Sequence, residues 1–576
     1  MKTRYLSIIA IAIVLISCKD ILDTQPIDKV LEDEVWQDTE LIRLHLTDMY
    51  AKFPFNMFDA HAWASWTDEA TQSSGNNHPI PEGRVSNNLD SPEYWDYEYI
   101  RELNVFLEKV AEASIPEADK NQFAGEARVM RAVAYFELQK RYGGVPLVDV
   151  VLDPNEEVDE QYSSRSSEEA IADFINSELN AAIDLLGENT EPKGQINQWT
   201  AYAFKARANL YSASIAKYGS VQLDGLVGIP QSRADEFFQK ASEAANTVIE
   251  SGSYSLFDQI PNRAENYRNI WINESNDEVI FERVYDGVNV GHNWDVNNVP
   301  QTLSSRNGGH TNPTLDFIMG YENADGSDGQ PSFGPDHLYE DGWDLFSDKD
   351  PRLHGSVIFQ GDMFHGQEIQ MYESTDPSPT PDPSSIMTGV DQTYQGVPVS
   401  GASSRAHPDD RKAPNTGFLI KKFSAEPMVG ENASHGNWIE LRLAEMYLTR
   451  AEAEFELGNL DIAAEALNAT RERAGISTVD GSTITLDHVR TERRSELAFE
   501  ESRFWDLRRW RTAVDVLNGL RVQGLRIIRH HETGRFYFLP INAEGYTRVF
   551  EPRHYYNPIT DSRIANNPDL VENPGY

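Results

Sequence analysis

The chain has one cysteine in 576 residues, so no internal disulfide can form and no multi-thiolate zinc or iron–sulfur site can be assembled. Basic side chains are scarce, 50 against 92 acidic ones, giving a net charge of −42. A protein that grips a phosphate backbone needs the opposite balance, because Lys and Arg neutralise the phosphates; nucleic acid is excluded as a partner. Long apolar runs are absent beyond the N-terminus, which excludes a polytopic membrane protein. No HExxH, GxSxG or phosphate-loop pattern occurs. What remains is an acidic chain with an ordinary 40% apolar content, enough for a normal core, and a length that allows roughly three or four domains.

The one apolar run has a specific form. Residues 1–18 read MKTRYLSIIAIAIVLISC, with Lys2 and Arg4 ahead of an apolar stretch from Leu6 to Ile16 in which only Ser7 is polar. At about 1.5 Å per helical residue this stretch is too short for about 30 Å of hydrocarbon, and it matches a signal h-region instead. It ends in Leu15-Ile16-Ser17-Cys18, which resembles a bacterial lipobox, so residues 1–17 are expected to be removed and Cys18 lipidated. An acidic body gains nothing from an anionic membrane surface. Retention would rest on the acyl chains, at about 0.8 kcal/mol per buried methylene. Residues 18–30 then read as a tether.

The rest is predicted to be mainly α. Three- and four-residue apolar spacing marks helices over Glu40–Phe53, Tyr94–Val110, Ala124–Tyr142, Ser167–Leu186, Thr200–Lys217 and Arg233–Ser251. Further on it marks Ile439–Leu457, Leu460–Ala474 and Asp487–Trp510. Alanines stand where helices cross closely, as at Ala203, Ala206, Ala241, Ala245, Ala463 and Ala466. Gly458-Asn459 turns one helix into the next, so the pattern resembles tetratricopeptide-type helix pairs. Between 286 and 436 the helical pattern lapses into Asn, Gly, Asp and Pro, including Asp376-Pro-Ser-Pro-Thr-Pro-Asp-Pro383, which reads as an exposed non-helical loop. The aromatics Trp294, Tyr321 and Trp343 argue that this region is ordered loop rather than disorder.

Several stretches, in order along the chain, resemble the SusD/RagB family. They are Glu126-Ala-Arg128 to Tyr142-Gly-Gly-Val-Pro-Leu147, Asp348-Lys-Asp-Pro-Arg-Leu353, Gly417-Phe-Leu-Ile-Lys-Lys-Phe423 and Leu443-Ala-Glu-Met-Tyr-Leu448. Leu467-Asn-Ala-Thr-Arg-Glu-Arg-Ala-Gly475, Glu492-Arg-Arg-Ser-Glu-Leu-Ala-Phe-Glu500, Arg503-Phe-Trp-Asp-Leu-Arg-Arg-Trp510 and the closing Asn567–Tyr576 follow. The resemblance implies an N-terminal helical region over 31–220 and a C-terminal region over 221–576 that includes the loops of 286–436. It also implies a lipid-anchored outer-membrane protein that binds oligosaccharide or polysaccharide and caps a SusC-like TonB-dependent transporter. No cofactor, metal or catalytic residue is implied.

A glycan site needs flat aromatic faces for sugar C–H patches and polar groups for the hydroxyls. Two loop stretches carry that mixture. One supplies Trp63, Trp66, Asp68 and Arg84; the other supplies Tyr285, His292, Asn293 and Trp294, with Arg306 beyond. Trp294 stands out because Gly, His, Asn and Asp surround it, whereas Trp95 begins a helix and reads as packing. In Glu492–Arg509, Arg493 with Glu496 and Glu500 with Arg503 read as i,i+3 pairs on a salt-bridged structural helix rather than a catalytic cluster. Asn323–Asp328 has the Gly at the wrong offset for a calcium loop and reads as a solvated turn. Two rival readings stay open: a lipid-anchored glycan-degrading enzyme, and a family member whose ligand is a peptide or other nutrient.

Overall fold

The computed structural model describes residues 35–576 apart from 56–62, 74–77, 275, 328, 376–381, 409–412 and 426. Cys18, the signal-like segment and the Pro-rich part of Asp376–Pro383 lie outside the described residues. Ten longer helices form the frame: α1 (Thr39–Lys52), α2 (Tyr97–Glu112), α3 (Glu117–Tyr142), α4 (Glu168–Leu185), α5 (Gln198–Tyr218), α6 (Ala234–Glu250), α7 (Leu443–Glu456), α8 (Leu460–Ala474), α9 (Leu486–Glu496) and α10 (Ser502–Arg509). From α2 to α8 each packs on the next, so the two halves of the chain meet where α6 lies against α7. Ala203, Ala206, Ala241, Ala245, Ala463 and Ala466 are all fully buried, which lets the backbones approach at these crossings. Asn197 caps α5 by accepting from Thr200 N–H at 2.9 Å, and Gly475 ends α8 in the left-handed conformation.

Two predicted helices differ from their patterns. The expected Ile439–Leu457 helix begins as a strand, Trp438–Arg442, antiparallel to Val279–Arg283, and turns helical only at Leu443. The expected Asp487–Trp510 helix is broken between α9 and α10, where Phe499 and Glu501 both take φ 62°. Backbone carbonyls freed at the break are used by distant donors. Arg442 Nη2 donates to Glu496 O at 2.7 Å and Lys422 Nζ to Ala498 O at 2.9 Å. The expected i,i+3 pairs are replaced as well: Arg493 pairs with Asp506 at 2.8 Å and Arg503 with Asp68 at 2.9 Å.

Glu496 is the hub of a buried ionic network. Arg442 reaches it at 2.6 Å and Arg352 at 2.9 Å, and Arg473 joins them. Asp350 and Glu492 pair with Arg352, at 2.7 and 2.5 Å. Glu278 receives Arg442 at 2.8 Å and Arg473 at 3.0 Å. Burial alone would raise the Glu496 carboxyl, but Arg473, Arg442 and Arg352 together hold it far below the usual carboxylate range. Lys422, inside the same network, is pushed down to about 8 by burial, against the pull of Glu500. The motifs that carry the family resemblance (Asp350 to Leu353, Lys422, Arg473, Glu492 to Glu500) therefore meet in one knot that ties loops to helices.

Small sheets are built from the stretch between α6 and α7 together with residues after α10. The largest runs in the order Phe536–Asn542, Gln523–Arg529, Glu373–Thr375, Ile386–Met387. Two short hairpins stand beside it, Met363–Phe364 with Gln367–Glu368 and Thr393–Tyr394 with Val397–Pro398. Their turns, His365-Gly366 and Gln395-Gly396, have positive φ at both central residues, which matches the twist of tight two-residue hairpins.

Candidate functional site

The two sequence-predicted clusters are both ordered, but neither forms an open aromatic platform. Trp63 and Trp66 share a single helical turn with ring centroids 4.7 Å apart, packed on Phe504 and Trp505 of α10. His78 stacks on Trp66 at 4.5 Å and 21°, covering it, while Trp63 is half-buried. Asp68 is buried and held between Arg494 at 2.8 Å and Arg503 at 2.9 Å. Its expected place at a ligand rim is thus corrected to a structural one, because two guanidiniums already occupy its oxygens. Arg84 is exposed and pairs with Glu82 at 2.6 Å.

The second cluster is folded onto residues 428–437. His292 and Ser434 exchange backbone hydrogen bonds at 3.2 Å, and Asn293 exchanges two with Asn432 at 2.7 Å. Tyr285 is buried edge-to-face against His292 at 4.8 Å. Burial pushes the His292 ring down to about 4, so it is neutral at pH 7. Its Nδ1 then accepts from Trp294 N–H at 3.1 Å while Nε2 lies 3.0 Å from the Gly436 carbonyl. Trp294 is only 2% exposed and sits edge-to-face on Phe423 at 5.3 Å, so its indole is core rather than a sugar platform. Arg306 is exposed and pairs with Glu431. Trp66 and Trp294 belong to different apolar clusters, and the fold does not merge the two loops into one aromatic surface.

A cleft that the sequence did not announce lies between the two hairpins. Its floor is built where residues 370–374 run antiparallel to 399–403: Ser403 N–H donates to Gln370 O at 2.9 Å, Gly401 N–H to Tyr372 O at 2.9 Å and Ser374 N–H to Val399 O at 2.7 Å. The volume is about 370 Å³, within the range of about 300–1,000 Å³ usual for small-molecule sites. The lining includes the amides and hydroxyls of Thr302, Gln367, Gln370, Gln392, Ser400 and Ser403, with Tyr372 as the aromatic member. The hairpin signature Phe364-His-Gly-Gln367 and Tyr394-Gln-Gly-Val397 was the readable trace of its two walls. Nothing in composition joined those walls across the stretch between Glu368 and Thr393. Among the described residues no group of three or more His, Cys, Asp or Glu gathers as metal ligands, and no helix is long and apolar enough to cross a membrane.

Residues 277–576 match the sequence model described as "SusD family", which covers more than half of the chain. The chain belongs to the SusD family. Residues 32–210 also match a model described as "Starch-binding associating with outer membrane". A SusD-like protein of Bacteroides ovatus is 25% identical over all of this chain and 98% of its own length. The crystal structure of a SusD-like protein from Bacteroides fragilis is 25% identical with a TM-score of 0.71, covering 96% of this chain and 100% of that one. A second B. fragilis structure, named a SusD-like carbohydrate binding protein, is 23% identical with a TM-score of 0.67, covering 93% and 100%. The SusD fold is thereby established over nearly the whole chain, as the resemblance implied.

Proposed function

We propose that this SusD-family chain is a glycan-capturing lipoprotein of the outer membrane, anchored through Cys18, that passes oligosaccharide to a SusC-like TonB-dependent transporter and does not cleave it. The observation that carries the reading is family membership spanning both halves of the chain. Supporting it is an open cleft lined by amides, hydroxyls and one phenol, the groups that satisfy sugar hydroxyls. A solved relative is named as carbohydrate binding, and one family description places its members at the outer membrane. The tether logic is independent of the fold: an acidic body gains no adhesion from an anionic membrane surface, and acyl chains on Cys18 would supply it.

Native electrophoresis of the Cys18-less mature chain through gels containing a panel of polysaccharides tests the binding claim, with retardation by at least one glycan as the expected result. Release of reducing ends on incubation would favour the enzyme reading, and binding of peptides without any glycan would favour the nutrient-binder reading. Cys18→Ser in the full-length chain should release it from membranes and abolish co-purification of a transporter.

A further inference from the structure

We infer that the cleft between the Met363–Glu368 and Thr393–Pro398 hairpins is a subsite for uncharged sugar, built to exclude sulfated and uronic residues. The inference rests on the glycan-binding reading and adds the ligand class and the place.

The amide orientations on one wall are fixed by hydrogen bonds within the protein. Met371 N–H donates to Gln360 Oε1 at 2.6 Å, and Gln360 Nε2 donates to Gln370 Oε1 at 2.6 Å. The Gln370 carbonyl oxygen is thereby engaged, and its NH₂ is the part left to offer the lining. Thr302 Oγ donates to Gln367 Oε1 at 2.9 Å, which leaves Gln367 in the same donor sense. Ser400 Oγ accepts from Gly389 N–H at 3.2 Å and keeps its own proton. In the floor, Ser403 is buried and its hydroxyl has no hydrogen-bond partner among the described residues. It lies beneath the cleft surface and is not itself a ligand contact, so the donors offered to a ligand are the Gln370 and Gln367 amides and the Ser400 hydroxyl.

The charged groups are of one sign. Glu368 and Asp391 are the charged residues of the lining, and among the described residues no Lys or Arg lines it. Arg529 lies 5.6 Å from the Tyr372 ring centre but is not part of the lining. Ionised carboxylates accept hydrogen bonds and donate none, so they require O–H groups from the ligand. A pyranose supplies both halves: hydroxyl and ring oxygens for the amide and serine donors, hydroxyl protons for Glu368 and Asp391. A sulfate or carboxylate would face two like charges with no cation among the described lining residues to offset them. The net charge of −42 adds to that field and does not offset it.

Calorimetric titration tests this on the mature protein with neutral hexasaccharides (gluco-, manno-, xylo- and galacto-oligomers) and with oligogalacturonate and sulfated galactan fragments of the same length. At least one neutral oligomer should bind, with little dependence on salt, and the anionic oligomers should not. Gln370→Leu should weaken that binding about tenfold, the loss of one or two ligand hydrogen bonds. Ala402→Trp, at an exposed lining position where folding is not at stake, should abolish it by filling the cleft. Glu368→Lys with Asp391→Lys should create measurable oligogalacturonate binding. Undiminished neutral-sugar binding in Ala402→Trp would overturn the subsite while leaving the glycan reading intact. Preferential binding of an anionic oligomer by the unaltered protein, or weakening of it by Ala402→Trp, would overturn the neutral selectivity. Failure of every oligomer to bind would remove the glycan reading itself, and this inference with it.

Discussion

The groups around Glu496 and those around Gln370 solve opposite problems with polar side chains. Around Glu496, Arg352, Arg442 and Arg473 meet Glu278, Glu492 and Glu496, and every one of these is buried. In the cleft, the Gln370 and Gln367 amides stand at a surface, each held by one hydrogen bond through its oxygen and open on the NH₂ side. The first arrangement is closed and serves the fold, since a charge removed from water must be fully compensated. The second is incomplete without a ligand. Perturbing the two should therefore separate stability from binding.

The largest effect is expected at the network. Arg442→Met would leave Glu278, Glu496 and Glu500 short of a shared partner in a buried site, a loss of about 3–5 kcal/mol by analogy with broken buried pairs. Urea denaturation should show the midpoint falling steeply, and a shift under about 1 kcal/mol would mean the network is hydrated and weak. Gln370→Leu is the counterpart: weaker sugar binding with a far smaller change in midpoint.

Trp294→Ala comes next and sharpens the contrast between aromatic core and aromatic platform. Removal of an indole that is 2% exposed and packed on Phe423 should cost about 3–5 kcal/mol through the cavity it leaves. A variant with unchanged melting temperature and lost glycan binding would instead restore Trp294 to the ligand surface.

These two residues also show what the sequence could disclose. Helical spacing located α3 to α6 to within a few residues or better at most ends, and Leu460–Ala474 at both ends, because local periodicity decides those elements. The break at Leu497–Glu501 was invisible. It has no Gly or Pro, and its cause is Arg442 and Lys422 taking carbonyls from across the fold. Trp294 misled in the same way. Its sequence neighbours are polar, but its packing partner Phe423 comes from a loop more than 100 residues away. Asp68 looked like a rim group for the same reason, its two arginines lying on α9 and beyond. The cleft hid for a further reason: Gln, Ser and Thr in a Gly- and Pro-rich stretch are the ordinary composition of a loop, and only the pairing of 370–374 with 399–403 makes a wall of them.

A further effect lies beside Asp68 and separates a charged network from a single protonated group. Glu69 is buried next to Asp68, accepts a 3.4 Å hydrogen bond from Phe499 N–H, and has no partner for Oε2 among the described residues. Burial first, then the neighbouring Asp68 charge, push its carboxyl up to about 8, with Arg503 and Arg494 pulling the other way. The folded protein therefore holds this proton to about pH 8, whereas the unfolded chain releases it near 4.5. Between those values the native state binds the extra proton, so stability is full below about 4.5 and falls as pH rises through about 8, by an amount of the order of a few kcal/mol. Glu69→Gln keeps the shape and removes the titration. Its melting temperature should decline less than that of the unaltered protein across this window. Equal declines in the two proteins would mean that Glu69 is ionised in the fold, balanced by Arg494 and Arg503 together with its neighbour, and that this corner belongs with the closed ionic network rather than apart from it.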